Sequence, residues 1–204
     1  MPRAGIDRAR VIHEAAALAD AEGLTALSMA ALAKRLGIAL PSLYTHVKSL
    51  DHVRQQIAAL ASHDMAQRLG QAVQGRAQAE ALAAFAAAYR AYVLAHPGRY
   101  AASHLMFSEI DDEHRASALQ IGQIIAATLH GYGIDEAEQT NAVRMLRSAL
   151  HGFASLEREG HFHHPQSLDE SFARMVQALD ASFRSWPGAK TAKSKAKKNK
   201  KERP

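Results

Sequence analysis

The side chains best placed to do chemistry gather in one stretch, LSMAALAKRLGIALPSLYTHVKSL, positions 27 to 50. If residues from about Leu40 to Val47 form a helix, Leu43 and Val47 share its buried side. Leu40, Pro41, Ser42, Tyr44, Thr45, His46 and Lys48 are then left facing out. Such a face carries hydroxyls, a ring N–H, one aromatic ring and a full charge. It gains little from burial and suits the groove and backbone of duplex DNA. Phosphate contacts fix position, whereas base-edge contacts carry sequence information. Ser28, Tyr44, His46 and Lys48 are the phosphate candidates: a hydroxyl at the positive end of a helix, a phenol on a rigid arm, a ring N–H and an ammonium. Leu40, Pro41, Ser42 and Thr45 are the base-reading candidates, the first two matched to a thymine methyl and Ser42 able to donate or accept. The plainer alternative makes Tyr44 and His46 half-buried surface residues of a small helical bundle.

The 12 histidines raise a second chemistry, metal binding. A helical di-iron site uses carboxylates with Glu-x-x-His pairs. Glu157 and His161 stand four apart, and only Asp111 and His114 have the three-residue interval. His161, His163 and His164 precede Pro165 in an expected loop, where exposed histidines cost little. Without cysteine the chain has no disulfide, thiolate nucleophile or cysteine-based zinc site. No catalytic residue, metal or cofactor is assigned, and the expectation is a protein that is not an enzyme.

The elements that must position these residues are helical. Hydrophobic residues make up 48%, dominated by Ala, Leu, Ile and Met, which favours helix over strand. Asp7 can cap a first helix with Val11, Ile12, Ala15, Leu18 and Ala19 on one face, stopped at Gly23. Ser28 can cap a second, Met29 to Leu36, ending at Gly37. Eight residues do not hold a helix alone, so these short segments need one another, and two short helices around a glycine turn make a helix-turn-helix. Ser49 then caps a longer helix with Leu50, Val53, Ile57, Leu60 and Leu69 inward. Further helices are expected near 77–95, 111–130, 136–159 and 168–186, separated by breaks at His96-Pro97-Gly98, Gly131-Tyr132-Gly133 and His164-Pro165. The fold expected is all-α, with three parts: a helix-turn-helix DNA-binding domain at 1–48, a helical ligand-binding and dimerisation domain at 49–186, and a Lys-rich disordered tail at 187–204.

Charge is divided along the chain. The tail holds seven Lys and one Arg against one Glu, a balance of +7 within a net +5, so the rest carries −2. Residues 1–49 hold six basic and four acidic residues, a balance of +2, which leaves −4 on 50–186. A basic head on an acidic body suits an anionic polymer held at one end. The rival is a nonspecific nucleoid-type protein that binds through its tail; the two differ in whether sequence preference survives without residues 187–204. No run reaches the ~20 apolar residues of a membrane span, and no secretory segment is evident, so no membrane partner and a cytoplasmic location are expected.

The capped Ser28, the ALAKRLGI turn and the LYTHVKSLDHV segment together resemble the TetR/AcrR family of transcriptional regulators, and PSLYTHVK is especially similar to tetracycline-repressor heads. The resemblance covers about the first 60 residues. It implies a homodimer whose two third helices enter successive major grooves of a palindromic operator, with repression released by a small molecule. Ala39 stands where many members carry Ser, so one capping hydroxyl is lost. The segment RSALHGFASLEREGHF at 147–162 is similar to WHG-type C-terminal domains, with Arg147 in place of the expected tryptophan.

The family likeness places dimer interface and ligand cavity in the C-terminal helices. Two apolar stripes are available for the interface: Val143, Leu146, Leu150 and Phe153, and Phe172, Met175, Val176, Leu179, Phe183 and Trp186. The alternative is that both are ordinary core. A pocket needs apolar walls with a few polar anchors; Phe85, Tyr89, Tyr92, Met106, Phe107 and Phe153 are candidate walls, with His104 and His151 as anchors.

Overall fold

A computed structural model of the chain describes residues 6–107, 110 and 112–187. The described residues form nine helices and no strand, so the fold is all-α. The residues fall into two compact units, one made of positions up to 67 with 91–120, the other of 68–90 with 121 onward. The Lys-rich tail, from position 188, lies outside the described residues, as does Asp111.

The first unit opens with α1 (Arg8–Glu22), capped by Asp7, whose carboxylate accepts from Arg10 N at 2.8 Å. Next come α2 (Met29–Leu36) and α3 (Leu40–Leu43). Gly37 closes α2 in the left-handed region, φ 67°, and its N–H returns to the carbonyls of Ala33 and Lys34. An added Cβ there would touch nothing within 4 Å, so only the backbone conformation resists substitution. Gly37→Ala should therefore cost about 1 kcal/mol, read as a shift in the urea midpoint with the m-value unchanged. Val11, Ala15, Leu27, Leu32, Leu43, Val47, Val53 and Ile57 share one core, with Ile38 and Phe107 against its edge.

Two features of this unit depart from the sequence expectation. The third helix is regular only from Leu40 to Leu43; residues 44–46 continue as turns in which Thr45 N donates to Ser42 O and His46 N to Leu43 O. Tyr44, Thr45, His46 and Val47 are aromatic, β-branched or imidazole residues with weak helix preference, and no side chain caps the start at Ala39. His96-Pro97-Gly98 does end a helix at Ala95, as expected, but it also opens an unexpected short one, α6 (Pro97–Ala102), with Pro97 in the first turn where its missing N–H costs nothing. Its N-terminus is capped from α1: Asp20 Oδ1 accepts from Arg99 N at 2.8 Å. The same carboxylate lies 3.0 Å from Arg99 Nε, and Asp64 of α4 (Leu50–Val73) accepts from Arg99 at 3.3 Å. Gly98 lets α6 come this close, because a Cβ at that position would sit 2.1 Å from the carbonyl carbon of Ala19.

The second unit includes residues up to 90 of α5 (Gln78–Ala95), the part of α7 (Asp112–His130) from 121 onward, α8 (Glu136–Arg158) and α9 (Leu168–Arg184). Leu146 and Leu150 of α8, and Phe172, Val176, Leu179 and Phe183 of α9, are buried within the single chain. This corrects the expectation that the two stripes serve chiefly as a dimer surface: they are in the main intrachain core, since α8 and α9 pack on each other. Arg90 ties α5 to both helices. Its guanidinium donates to Glu157 at 2.6 and 2.5 Å and to Asp169 at 2.7 Å, lying 4.9 Å from the centre of the Phe172 ring. Glu157 first, against the opposing pull of burial, and then Asp169 hold its pKa above the ordinary arginine value.

Candidate nucleic-acid interface

The reading segment is built by the turn that precedes it. After Gly37 the Ile38 N–H donates to Ala33 O at 3.1 Å, which closes α2 and sends the chain directly into α3. With Leu43 and Val47 anchored in the core, the opposite side must face solvent. Leu40 is 39% and Tyr44 52% exposed, and Pro41, Ser42, Thr45 and Lys48 are exposed as well. His46 is half-buried. From Ile38 to Lys48 the sequence holds no acidic residue, so no carboxylate within the segment repels a phosphate chain.

Hydrogen bonding refines what each side chain can offer. Ser28 Oγ accepts from Ala31 N at 3.1 Å as the cap of α2, which leaves its O–H to donate to an anionic oxygen at the helix's positive end. Thr45 Oγ1 donates to Ser42 O at 2.7 Å, so its proton is turned inward and it presents a methyl and an acceptor. Arg35 is drawn away to Glu14 of α1 at 2.8 Å. The Lys48 turn is held by His52, whose Nδ1 accepts from Lys48 N at 3.2 Å, while Ser49 Oγ accepts from His52 N at 3.1 Å as the first bond of α4. Arg8 of α1 reaches His52 Nε2 at 3.1 Å. Sequence reasoning passed over His52 and Arg8; the signal present was the Ser49-x-x-His52 interval, which sets a ring back over the helix start.

The ligand-binding candidates divide between the units. In the second, Phe85 and Tyr89 stack at 6.4 Å along α5, Phe153 packs with Phe162 and Phe172 at 5.0 and 5.1 Å, and His151 is exposed. In the first, Tyr92 donates to Ala61 O at 3.2 Å, His104 lies 4.5 Å from the Tyr100 ring, Phe107 edges the core, and Met106 is 96% exposed. Arg147 is exposed on α8; the α5 arginine Arg90 is the one that meets Glu157. Among the described residues no group of three or more His, Asp or Glu is placed to hold a metal, and no helix is long and apolar enough to cross a membrane.

Residues 82–179 match the family model for tetracyclin repressor-like C-terminal domains. Over 158 residues the chain is 35% identical to the HTH-type transcriptional regulator Rv0681 of Mycobacterium tuberculosis, covering 77% of this chain and 72% of that one. Two crystal structures share the fold. One is TetR-Q116A from Acinetobacter baumannii AYE in complex with minocycline, with TM-score 0.66 and 19% identity over 89% of this chain and 98% of that one. The other is BioQ with its double-stranded DNA operator, with TM-score 0.61 and 19% identity over 87% of this chain and 99% of that one.

Proposed function

The chain belongs to the TetR family of helix-turn-helix transcriptional regulators, and from that premise we propose that it works as a homodimeric repressor, gripping a palindromic operator until a small molecule releases it. The observation that carries this reading is the exposed, acid-free face from Leu40 to Lys48, held out by Leu43 and Val47. The division of labour proposed is operator binding by residues 1–48 and ligand binding with dimerisation by 49–186, with 187–204 as a basic tail. The protein acts by binding and not by catalysis, requires no cofactor, and does so in the cytoplasm. The operator-bound BioQ and minocycline-bound TetR-Q116A structures support both halves of the reading by analogy of fold.

A second copy has a suitable surface. With the large apolar residues of α8 turned inward, Met145, Ala149, Gly152 and Leu156 recur at four-, three- and four-residue steps on another face, none of them buried. Ser171, Met175, Ala178 and Ser182 do the same on α9. Small residues between apolar ones let helices approach closely, and a two-fold contact uses each stripe twice. A ligand then changes operator affinity only by preferring one state of the dimer.

The test lies in the contrast between side chains. Tyr44→Ala and Lys48→Ala should weaken binding to all sequences alike, and Lys48→Ala should lower the salt slope by about one. Ser42→Ala and Leu40→Ala should instead change the preferred bases, with each lost contact worth about 1–3 kcal/mol of discrimination. Binding-site selection followed by gel shift on each variant reads both effects. If Tyr44, Lys48, Ser42 and Leu40 can all be truncated without effect, the segment does not touch DNA.

A further inference from the structure

We propose that the groove between α1 and α4 is a second small-molecule site, built for an amphipathic anion: a carboxylate or sulfonate on an apolar body. The groove belongs entirely to the first unit and is open on one side, with a volume of about 430 Å³, within the range of small-molecule pockets. Ile12 of α1 and Leu60 of α4 face it with apolar surface, and Arg8, His13, Gln56 and His63 stand around them. The positions on each helix fall on a single face, so the two walls are continuous.

Charge selects the occupant. Among the described residues, every titratable side chain lining the groove is a base and none is a carboxylate. The acidic residues nearest in sequence to the α1 wall are directed elsewhere, the cap Asp7 to Arg10 N at 2.8 Å and Glu14 to Arg35 at 2.8 Å. Gln67 Nε2 lies 2.9 Å from His63 Nε2; with the amide donating there, the neutral ring keeps its proton on Nδ1 and remains a donor. An apolar floor beneath an arginine and two imidazoles favours an anion with a hydrocarbon body over either a cation or a sugar.

Occupancy has a route to the reading segment, and this consequence, unlike the binding itself, rests on the regulator reading above. Arg8 and the Lys48 N–H both point donors at His52, at Nε2 and Nδ1 respectively. A neutral imidazole accepts at only one nitrogen, so the Arg8 contact is the one an anion in the groove can take over.

The test uses 2-naphthoate as the probe, titrated into the full-length protein without DNA and followed by its fluorescence. One saturable site per chain is expected, with the neutral 2-naphthylmethanol binding at least about tenfold more weakly. Arg8→Ala and His63→Ala should each weaken naphthoate by roughly tenfold. Ala59→Trp, which fills the groove, should abolish binding without lowering Tm. Naphthoate binding that ignores all three substitutions, or that equals the alcohol's, or that is absent, overturns the proposal. So does an affinity that falls as protein concentration rises, which would assign the groove to a second copy. Operator binding measured on the same samples without probe separates this failure from failure of the regulator reading.

Discussion

Replacing Gly98 by alanine should cost about 3 kcal/mol, the upper end for an overpacked site. An alanine Cβ would meet the carbonyl carbon and oxygen of Ala19 at 2.1 and 2.2 Å and the Asp20 N at 2.5 Å. All three are backbone atoms of a regular helix, which cannot turn aside as a side chain does. To make room α1 must retreat from α6, and the retreat strips the Asp20 carboxylate from Arg99 N, the bond that caps α6. A lowered midpoint in chemical denaturation, together with operator affinity reduced in proportion to the folded fraction, is the expected result. The contrast with Gly37→Ala is the control: there no atom obstructs a Cβ and the loss is about a third as large. A Gly98→Ala protein as stable as the parent would show that the two helices do not need their close approach.

Arg90→Ala should be comparably severe, about 3–5 kcal/mol, since it strands a carboxylate with little access to water. The Glu157 side chain is only 11% exposed and that of Arg90 16%. Asp169, 86% exposed, adds little, because a solvated carboxylate loses almost nothing when its partner goes. The loss is therefore one of stranded charge more than of attraction, and a compensating change should reveal it. Arg90→Met combined with Glu157→Leu removes both charges and keeps apolar volume against Phe153 and Phe172, and the pair should recover most of the stability. A double-mutant cycle by thermal unfolding measures this; additive losses would mean that the ion pair is not what makes Arg90 matter.

What could be read from the sequence was whatever depends on neighbours along the chain. Ser28 as a cap, Gly37 as the end of the second helix and the alternation of Leu43 and Val47 with polar residues are local, and each stands in the structure as expected. The helix at Pro97 was missed because its cap comes from Asp20, 79 positions away from Arg99. A Pro-Gly pair read alone signals a stop; read beside Ala19 it marks the start of a helix pressed onto another. The stripes on α8 and α9 were correct as stripes, but a pattern of apolar residues does not say which surface will cover it. Arg90 was passed over for a similar reason, since an arginine on an alanine-rich helix gives no sign of a buried partner at Glu157.

The close seating of α6 on α1 bears on how this protein can be re-engineered. A chimera that grafts residues 1–67 onto a foreign sensor would carry the reading segment but leave behind Gly98, Arg99 and Ala102, which complete the surface on which α1 rests. The portable cassette is discontinuous, and a working transplant must bring the 91–107 stretch along with the N-terminal sequence.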